Sequence, residues 1–130
     1  MNRIFCIGKL SVEIKAQFES KGFQLIIFVD ANELIKDIKI SKPNSLLIED
    51  ERFKEIHSLI PNKIPYIIFT KQKQSLDGLD FFRSGALDYF STSTDAFVAL
   101  VLERTENFVA INKKDLVDKI LQDSESLYFS

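Results

Sequence analysis

The chain has 130 residues, 45% of them hydrophobic, and a formal net charge of −2 from 17 basic and 19 acidic side chains. This length fits one domain, the composition excludes a disordered chain, and the charge balance offers no basic surface for nucleic acid or an anionic membrane. The single cysteine, Cys6, excludes a disulfide framework, and no apolar run has the length of a signal peptide or a membrane span, so we expect a cytoplasmic protein.

Five short apolar runs predict β-strands. They are rich in β-branched and aromatic residues and are nearly continuous rather than alternating, so we expect both faces of each strand to be covered. In chain order the runs are Ile4–Ile7, Leu25–Val29, Leu46–Ile48, Tyr66–Phe69 and Leu87–Phe90.

Segments with helical spacing separate the first strands. The first segment begins near Val12 and ends at Gly22, and the second is capped by Asp30 or Asn32. The third follows the strand Leu46–Ile48 and is expected to have Asp50 as its N-cap.

Two further helices follow in the second half of the chain. One contains Phe81 and Phe82 and ends near Gly85, and the last runs from Ala96 to Ile111 behind a capping box that starts at Thr92. Five successive βα units predict a three-layer α/β domain with a parallel sheet.

Functional residues of such a sheet are expected at the carboxyl ends of its strands. The chain has no glycine-rich phosphate loop, and its one histidine, His57, has neither a second histidine nor a cysteine pair beside it. We therefore expect no enzyme activity, no cofactor and no bound metal. The residues at the strand ends are Gly8, Lys9, Asp30, Glu49, Asp50, Thr70, Lys71, Ser91 and Thr92.

Three segments within about residues 1–112 resemble the receiver domain of two-component response regulators. "GALDYF", beginning at Gly85, resembles the family's GADDYL, and "KPNSLLIE", ending at Glu49, resembles its KPDLVLLD. "IPYIIFT", ending at Thr70, resembles the family's fourth strand with its terminal hydroxyl. This resemblance implies a flavodoxin-like fold with the strand order 2-1-3-4-5.

The resemblance also implies which positions correspond to the family's phosphorylation site. Glu49 falls at the phosphoacceptor aspartate, and Asp50 takes that place if the loop is one residue longer. Thr70 retains the hydroxyl after the fourth strand, and Tyr89 matches the aromatic switch residue of the fifth.

Other parts of the family's site are missing. Gly8 and Lys9 stand where the family has the acidic pair that holds Mg²⁺, and Thr92 stands where it has a lysine. The resemblance therefore implies a degenerate site, a pseudo-receiver. We further expect Lys9 to form an ion pair with Glu49 in place of the metal.

These expectations describe a non-catalytic interaction module of a two-component phosphorelay or multidomain sensor protein. Its partners would be proteins: a histidine kinase, its own downstream sensor or output domain, or a second copy in a homodimer. Two alternatives stay open, a conventional receiver phosphorylated on Asp50 or Glu49 and a domain that binds a small ligand near Gly8.

The last part of the chain differs in character. Residues 113–130 are predicted to form a helical linker or C-terminal extension, and the ending "LQDSESLYFS" resembles the lead-in to a PAS domain, the alternative being a frayed terminal helix. The last helix is also expected to supply an interface for dimerisation or docking. Its predicted interface residues are Phe97, Val101, Arg104 and Phe108.

Overall fold

The computed structural model describes residues 2–72 and 78–108. Its sheet contains five parallel strands in the order β2-β1-β3-β4-β5, which confirms the predicted fold. The predicted extension at residues 113–130 lies outside the described residues. The strands are β1 (Asn2–Ile7), β2 (Phe23–Phe28), β3 (Ser45–Glu49), β4 (Tyr66–Thr70) and β5 (Asp88–Ser91).

Helices connect the strands on both faces of the sheet. The Ser11 hydroxyl accepts the Ile14 N–H at the start of α1, and the Asp30 carboxylate accepts the Asn32 N–H at the start of α2. Asp30 rather than Asn32 is therefore the cap of α2. The helices are α1 (Val12–Ser20), α2 (Ala31–Ile40), α3 (Phe53–Ile56), α4 (Gly78–Arg83) and α5 (97–108).

The third helix differs from its prediction. Its four α-helical residues, Phe53–Ile56, lie between two 3₁₀ turns, Asp50–Arg52 and His57–Leu59. The expectation that Asp50 is the N-cap is wrong, because β3 extends through Glu49 and the turn begins at Asp50 itself. The Asp50 carboxylate accepts the N–H of the next residue, Glu51, at 2.9 Å.

The predicted capping box at Thr92 is also wrong. The last helix begins at Phe97, after two turns, and Thr92 lies too early to cap it. The Thr92 N–H instead donates to the Thr70 carbonyl at 2.9 Å, because the pairing of β5 with β4 continues to this point. The Ser91 hydroxyl accepts the Ser93 N–H and stabilises the turn that follows.

The central strands separate two apolar layers. On one face β1, β3 and β4 pack against α1 and α5, and on the other they pack against α2, α3 and α4. Residues such as Ile4, Leu47 and Ile68 are fully buried, as expected for strands covered on both faces.

The predicted interface on the last helix is wrong for two of its four residues. Phe97 and Val101 are 2% and 0% exposed, because the apolar stripe of α5 packs on its own sheet. Arg104 is partly exposed, but its guanidinium contacts the Asp88 carboxylate at 2.7 Å, and Phe108 is half-buried. None of the helices in residues 2–72 and 78–108 combines the length and hydropathy needed to cross a bilayer.

Candidate functional site

A polar cavity of about 440 Å³ opens where β1, β3 and β4 end. Its position agrees with the prediction for a parallel sheet, since the loops after neighbouring strands meet at one edge. Six residues that the sequence places at the strand ends line it together: Gly8, Lys9, Glu49, Asp50, Thr70 and Lys71. The remaining lining residues are Glu51, Arg52 and Gln72.

Glu49 is the buried carboxylate of this cavity. It is the last residue of β3 and only 9% exposed, so its charge depends on nearby donors. Its Oε1 accepts the Lys9 backbone N–H at 3.2 Å and lies 3.4 Å from Nζ of Lys71. One amide and one ammonium therefore compensate the charge of the buried carboxylate.

The predicted ion pair between Lys9 and Glu49 is corrected by this geometry. The Lys9 side chain is exposed, and only its backbone contacts Glu49. Lys71 supplies the ammonium because it directly follows β4, the neighbour of β3 in the sheet. The sequence places Lys71 at a strand end but does not by itself identify its partner. Its position directly after Thr70, at the end of the strand next to β3, is the signal that indicates a contact with Glu49.

Gly8 allows the close approach of Glu49. Its φ of +137° lies in a region that favours glycine, and a Cβ at this position would lie 2.6 Å from Cβ of Glu49. The same Cβ would lie 3.0 Å from Cζ of Phe69. With Glu49 and Phe69 in these positions, residue 8 has no room for an acidic side chain.

The residues of this site do not fit Mg²⁺. This ion requires octahedral oxygen ligands and is usually held by one or two protein carboxylates. Gly8 has no side chain, Lys9 presents an N–H donor, and the Lys71 ammonium already lies beside the buried carboxylate. Across residues 2–72 and 78–108, no three His, Cys, Asp or Glu side chains are grouped as metal ligands.

Cys6 lies in β1 behind the cavity and is fully buried. Burial raises the pKa of its thiol strongly, the charge of Glu49 raises it further, and the charge of Lys71 acts in the opposite direction. The thiolate is the reactive form of cysteine, so a thiol held protonated in this way is not a nucleophile.

Of the hydroxyl and aromatic positions retained from the receiver pattern, one lines the cavity and the other lies outside it. Thr70 is 2% exposed, and its Oγ1 accepts the Gln72 N–H at 3.2 Å. Tyr89 lies outside the cavity, buried against Phe81 with ring centroids 5.2 Å apart. Thr92, at the position of the missing lysine, lines a neighbouring depression together with Lys71.

No protein-family model matches the chain, and no curated protein sequence matches it. Solved structures do. An orphan response regulator of H. pylori is 24% identical with a TM-score of 0.62, over 80% of this chain and 96% of that one. An atypical orphan response regulator is 23% identical with a TM-score of 0.62, over 80% and 95%.

A third similar structure is the signal receiver domain of a Luxo repressor protein from Vibrio parahaemolyticus. It is 18% identical with a TM-score of 0.70, and the similarity covers 89% of this chain and 96% of that domain. Together with the strand order, these similarities show that the chain has the receiver fold.

Proposed function

We propose that this receiver-fold domain is an interaction module of a two-component or multidomain sensor protein that acts without Mg²⁺-dependent phosphorylation. The observation that carries the proposal is the packing of Gly8 against Glu49, where a Cβ at residue 8 would lie 2.6 Å from Cβ of Glu49. With Glu49 in this position, residue 8 has no room for an acidic side chain that could hold Mg²⁺.

The chemistry of phosphorylation supports the proposal. An attached phosphoryl group carries a charge of about −1.5 to −2 at neutral pH, which conventional receivers compensate with a metal ion and a lysine. Here Gly8 supplies no metal ligand and Thr92 stands at the position of the lysine, so the Lys71 ammonium lies beside Glu49 without a metal site next to it. Glutamate is also longer than aspartate by a methylene, and phosphoryl transfer depends strongly on the position of the nucleophile.

The alternative acceptor, Asp50, has weaker support. Glu49 pairs in register with Phe69 of β4 and is the last residue of its strand, as expected of the acceptor position. Asp50 belongs to the following turn, and its carboxylate accepts the Glu51 N–H. Phosphorylation of Asp50 would also lack an acidic pair, since Gly8 and Lys9 are common to both alternatives.

A module of this kind acts through binding. Its expected partners are a histidine kinase or a sensor or output domain downstream in the same protein. One of the similar structures, the atypical orphan regulator, is described as revealing a phosphorylation-independent regulatory mechanism, which supports the proposal by analogy.

The test is exposure of the chain to acetyl phosphate and Mg²⁺, read by intact mass. We expect the mass to stay unchanged while a conventional receiver in the same buffer gains one phosphoryl group. Beryllofluoride with Mg²⁺ should likewise leave the amide NMR shifts of the residues around Glu49 unchanged.

Two conservative variants, Glu49→Gln and Asp50→Asn, make the outcome specific. Stoichiometric Mg²⁺-dependent phosphorylation that disappears in either variant would overturn the proposal and identify the acceptor. Loss in Asp50→Asn alone would establish the conventional alternative with the shifted register.

A further inference from the structure

One edge of the sheet is formed by β2, which has a single neighbour, β1, in the described part of the chain. The six residues of β2 read Phe-Gln-Leu-Ile-Ile-Phe and include no charge, proline or glycine. An edge strand presents backbone N–H and C=O groups that have no partner strand, and proteins usually protect long apolar edges with charges, proline or bulges. None of these protective features occurs within β2.

The opposite edge shows the contrast. The strand there, β5, has only four residues and begins with the charged residue Asp88, which binds Arg104 of the last helix. A short edge with a charge is a common protection against pairing with another chain. The two edges of the sheet therefore differ in their readiness to accept a further strand.

Packing holds β2 in place through one set of its side chains. Phe23, Leu25 and Phe28 are at most 8% exposed and anchor the strand to the core. Gln24 is exposed, and Ile26 is half-buried. A strand fixed in this way loses little conformational freedom when it pairs, which lowers the entropic cost of association.

Opposite charges flank the two ends of β2. Lys21 lies before the strand and Asp30 after it, and both are exposed. Antiparallel pairing of two identical strands brings the start of each to the end of the other, and twofold symmetry makes every contact twice. Lys21 of each copy would thus lie near Asp30 of the other, a charge match that parallel pairing would not produce.

We propose that β2 is a self-association edge through which a second copy of this chain pairs antiparallel, joining the two sheets into one. The uncharged strand supplies backbone hydrogen bonds, and the half-buried Ile26 side chains of the two copies meet near the twofold axis. The charges at the two ends fix the direction of pairing. The proposal is independent of the phosphorylation chemistry, so either one stands if the other fails.

The first test measures association of the full chain by sedimentation velocity over a concentration series. We expect a monomer–dimer equilibrium that Ile26→Lys weakens at least about tenfold in dissociation constant, because a charge is placed on the edge. Phe82→Lys, at a 46% exposed position on α4, is the matched control and should leave the equilibrium unchanged. Far-UV circular dichroism verifies folding, and Gln24→Lys at an exposed position replaces Ile26→Lys if the latter does not fold.

The second test addresses the direction of pairing. Lys21→Glu should weaken the dimer about 3- to 10-fold, and adding Asp30→Lys to the same chain should restore it. A chain that stays monomeric up to about 1 mM would overturn the proposal. So would a dimer that survives Ile26→Lys but dissociates in Phe82→Lys. Because Asp30 also caps α2, the charge-exchanged chain is first compared with the unmodified chain by thermal unfolding. Failure to restore pairing in a chain that remains folded would exclude the antiparallel arrangement.

Discussion

Gly8 is a residue whose side-chain hydrogen atom fills a space that no larger group fits. Replacing it with alanine combines an unfavourable φ of +137° with a Cβ placed 2.6 Å from Cβ of Glu49. We expect Gly8→Ala to lower the free energy of unfolding by about 2–4 kcal/mol, from backbone strain and overpacking together. Urea denaturation followed by far-UV circular dichroism measures the change.

Gly22 offers a matched control for this substitution. It also has a positive φ, +84°, but a Cβ there would meet nothing within 4 Å. Gly22→Ala should therefore show the backbone strain alone, about 1–2 kcal/mol. Equal losses in the two variants would mean that the contact with Glu49 relaxes without cost.

The buried thiol of Cys6 should make stability depend on pH in the alkaline range. Burial raises its pKa above the ordinary value of 9.0, so the folded chain retains a proton that the unfolded chain releases. The contribution is fully present below pH 9 and falls as pH rises through and beyond that value, by about 1.4 kcal/mol per unit.

The measurement for Cys6 is the free energy of unfolding between pH 8 and about 10.5, compared with Cys6→Ala. The two proteins share every other titratable group, so the difference between their pH slopes isolates the thiol. If the free energy of unfolding had the same pH slope in both proteins, the thiol would have its ordinary pKa in the folded chain.

At this scale the sequence predicted which residues lie together at one edge of the sheet better than it predicted their contacts. Glu49, Gly8 and Thr70 line one cavity, as their places at the strand ends predict. The ion pair was assigned to Lys9 rather than Lys71, because such a contact depends on how side chains from neighbouring strands reach across the cavity. A single sequence shows the spacing of residues along one strand, but it does not show how far a side chain extends towards the neighbouring strand.

At the scale of elements, a buried pair of hydroxyls links β3 to α5. Oγ of Ser45 lies 2.9 Å from Oγ1 of Thr105, which also donates to the Val101 carbonyl at 2.9 Å. Thr105→Val would leave the Ser45 hydroxyl buried without this partner, and we expect a loss of about 1–3 kcal/mol. Thermal and urea unfolding measure the loss.

The reciprocal variant separates the two hydrogen bonds. In Ser45→Ala the Thr105 hydroxyl still donates to Val101, so the loss should be smaller, about 0.5–1.5 kcal/mol. If Ser45→Ala proved the more harmful of the two, the hydroxyl pair would not be what joins β3 to α5.

Strands were easier to predict than the helix that follows β3. Each of the five strands contributes apolar side chains to both core layers, and this pattern depends little on local detail. The segment from Asp50 to Leu59 has the apolar spacing of a helix, yet it forms two 3₁₀ turns around four α-helical residues. The spacing of apolar residues does not distinguish a 3₁₀-helix, whose backbone hydrogen bonds span three residues, from an α-helix, whose bonds span four.

The last helix shows a different limit. Phe97 and Val101 are four residues apart and apolar, a pattern that describes a core-facing stripe as well as an interface. If other helices already covered this face of the sheet, the same apolar stripe would be free to form an interface. Here Phe97 packs against Phe69 of β4 and Phe18 of α1, so the stripe is part of the core.

For the whole molecule, alternation of strands and helices was enough to predict the layers and the parallel sheet. The strand order followed from a resemblance carried by three short segments, and the structure has the same order. The predicted order already places β2 at one edge of the sheet, but it does not say which side chains of β2 are buried and which are exposed. That information is a property of the assembled sheet and not of any one segment.

The contact between Gly8 and Glu49 also bears on how this site could change over time. A chain that carries Glu49 in its present position has no room for a carboxylate at residue 8, since the first carbon of any side chain would lie 2.6 Å from Glu49. An acidic residue at position 8 therefore requires a second substitution that moves or shortens the side chain of residue 49. The packing of Gly8 against Glu49 thus prevents any single substitution from placing an acidic side chain at residue 8 without loss of stability.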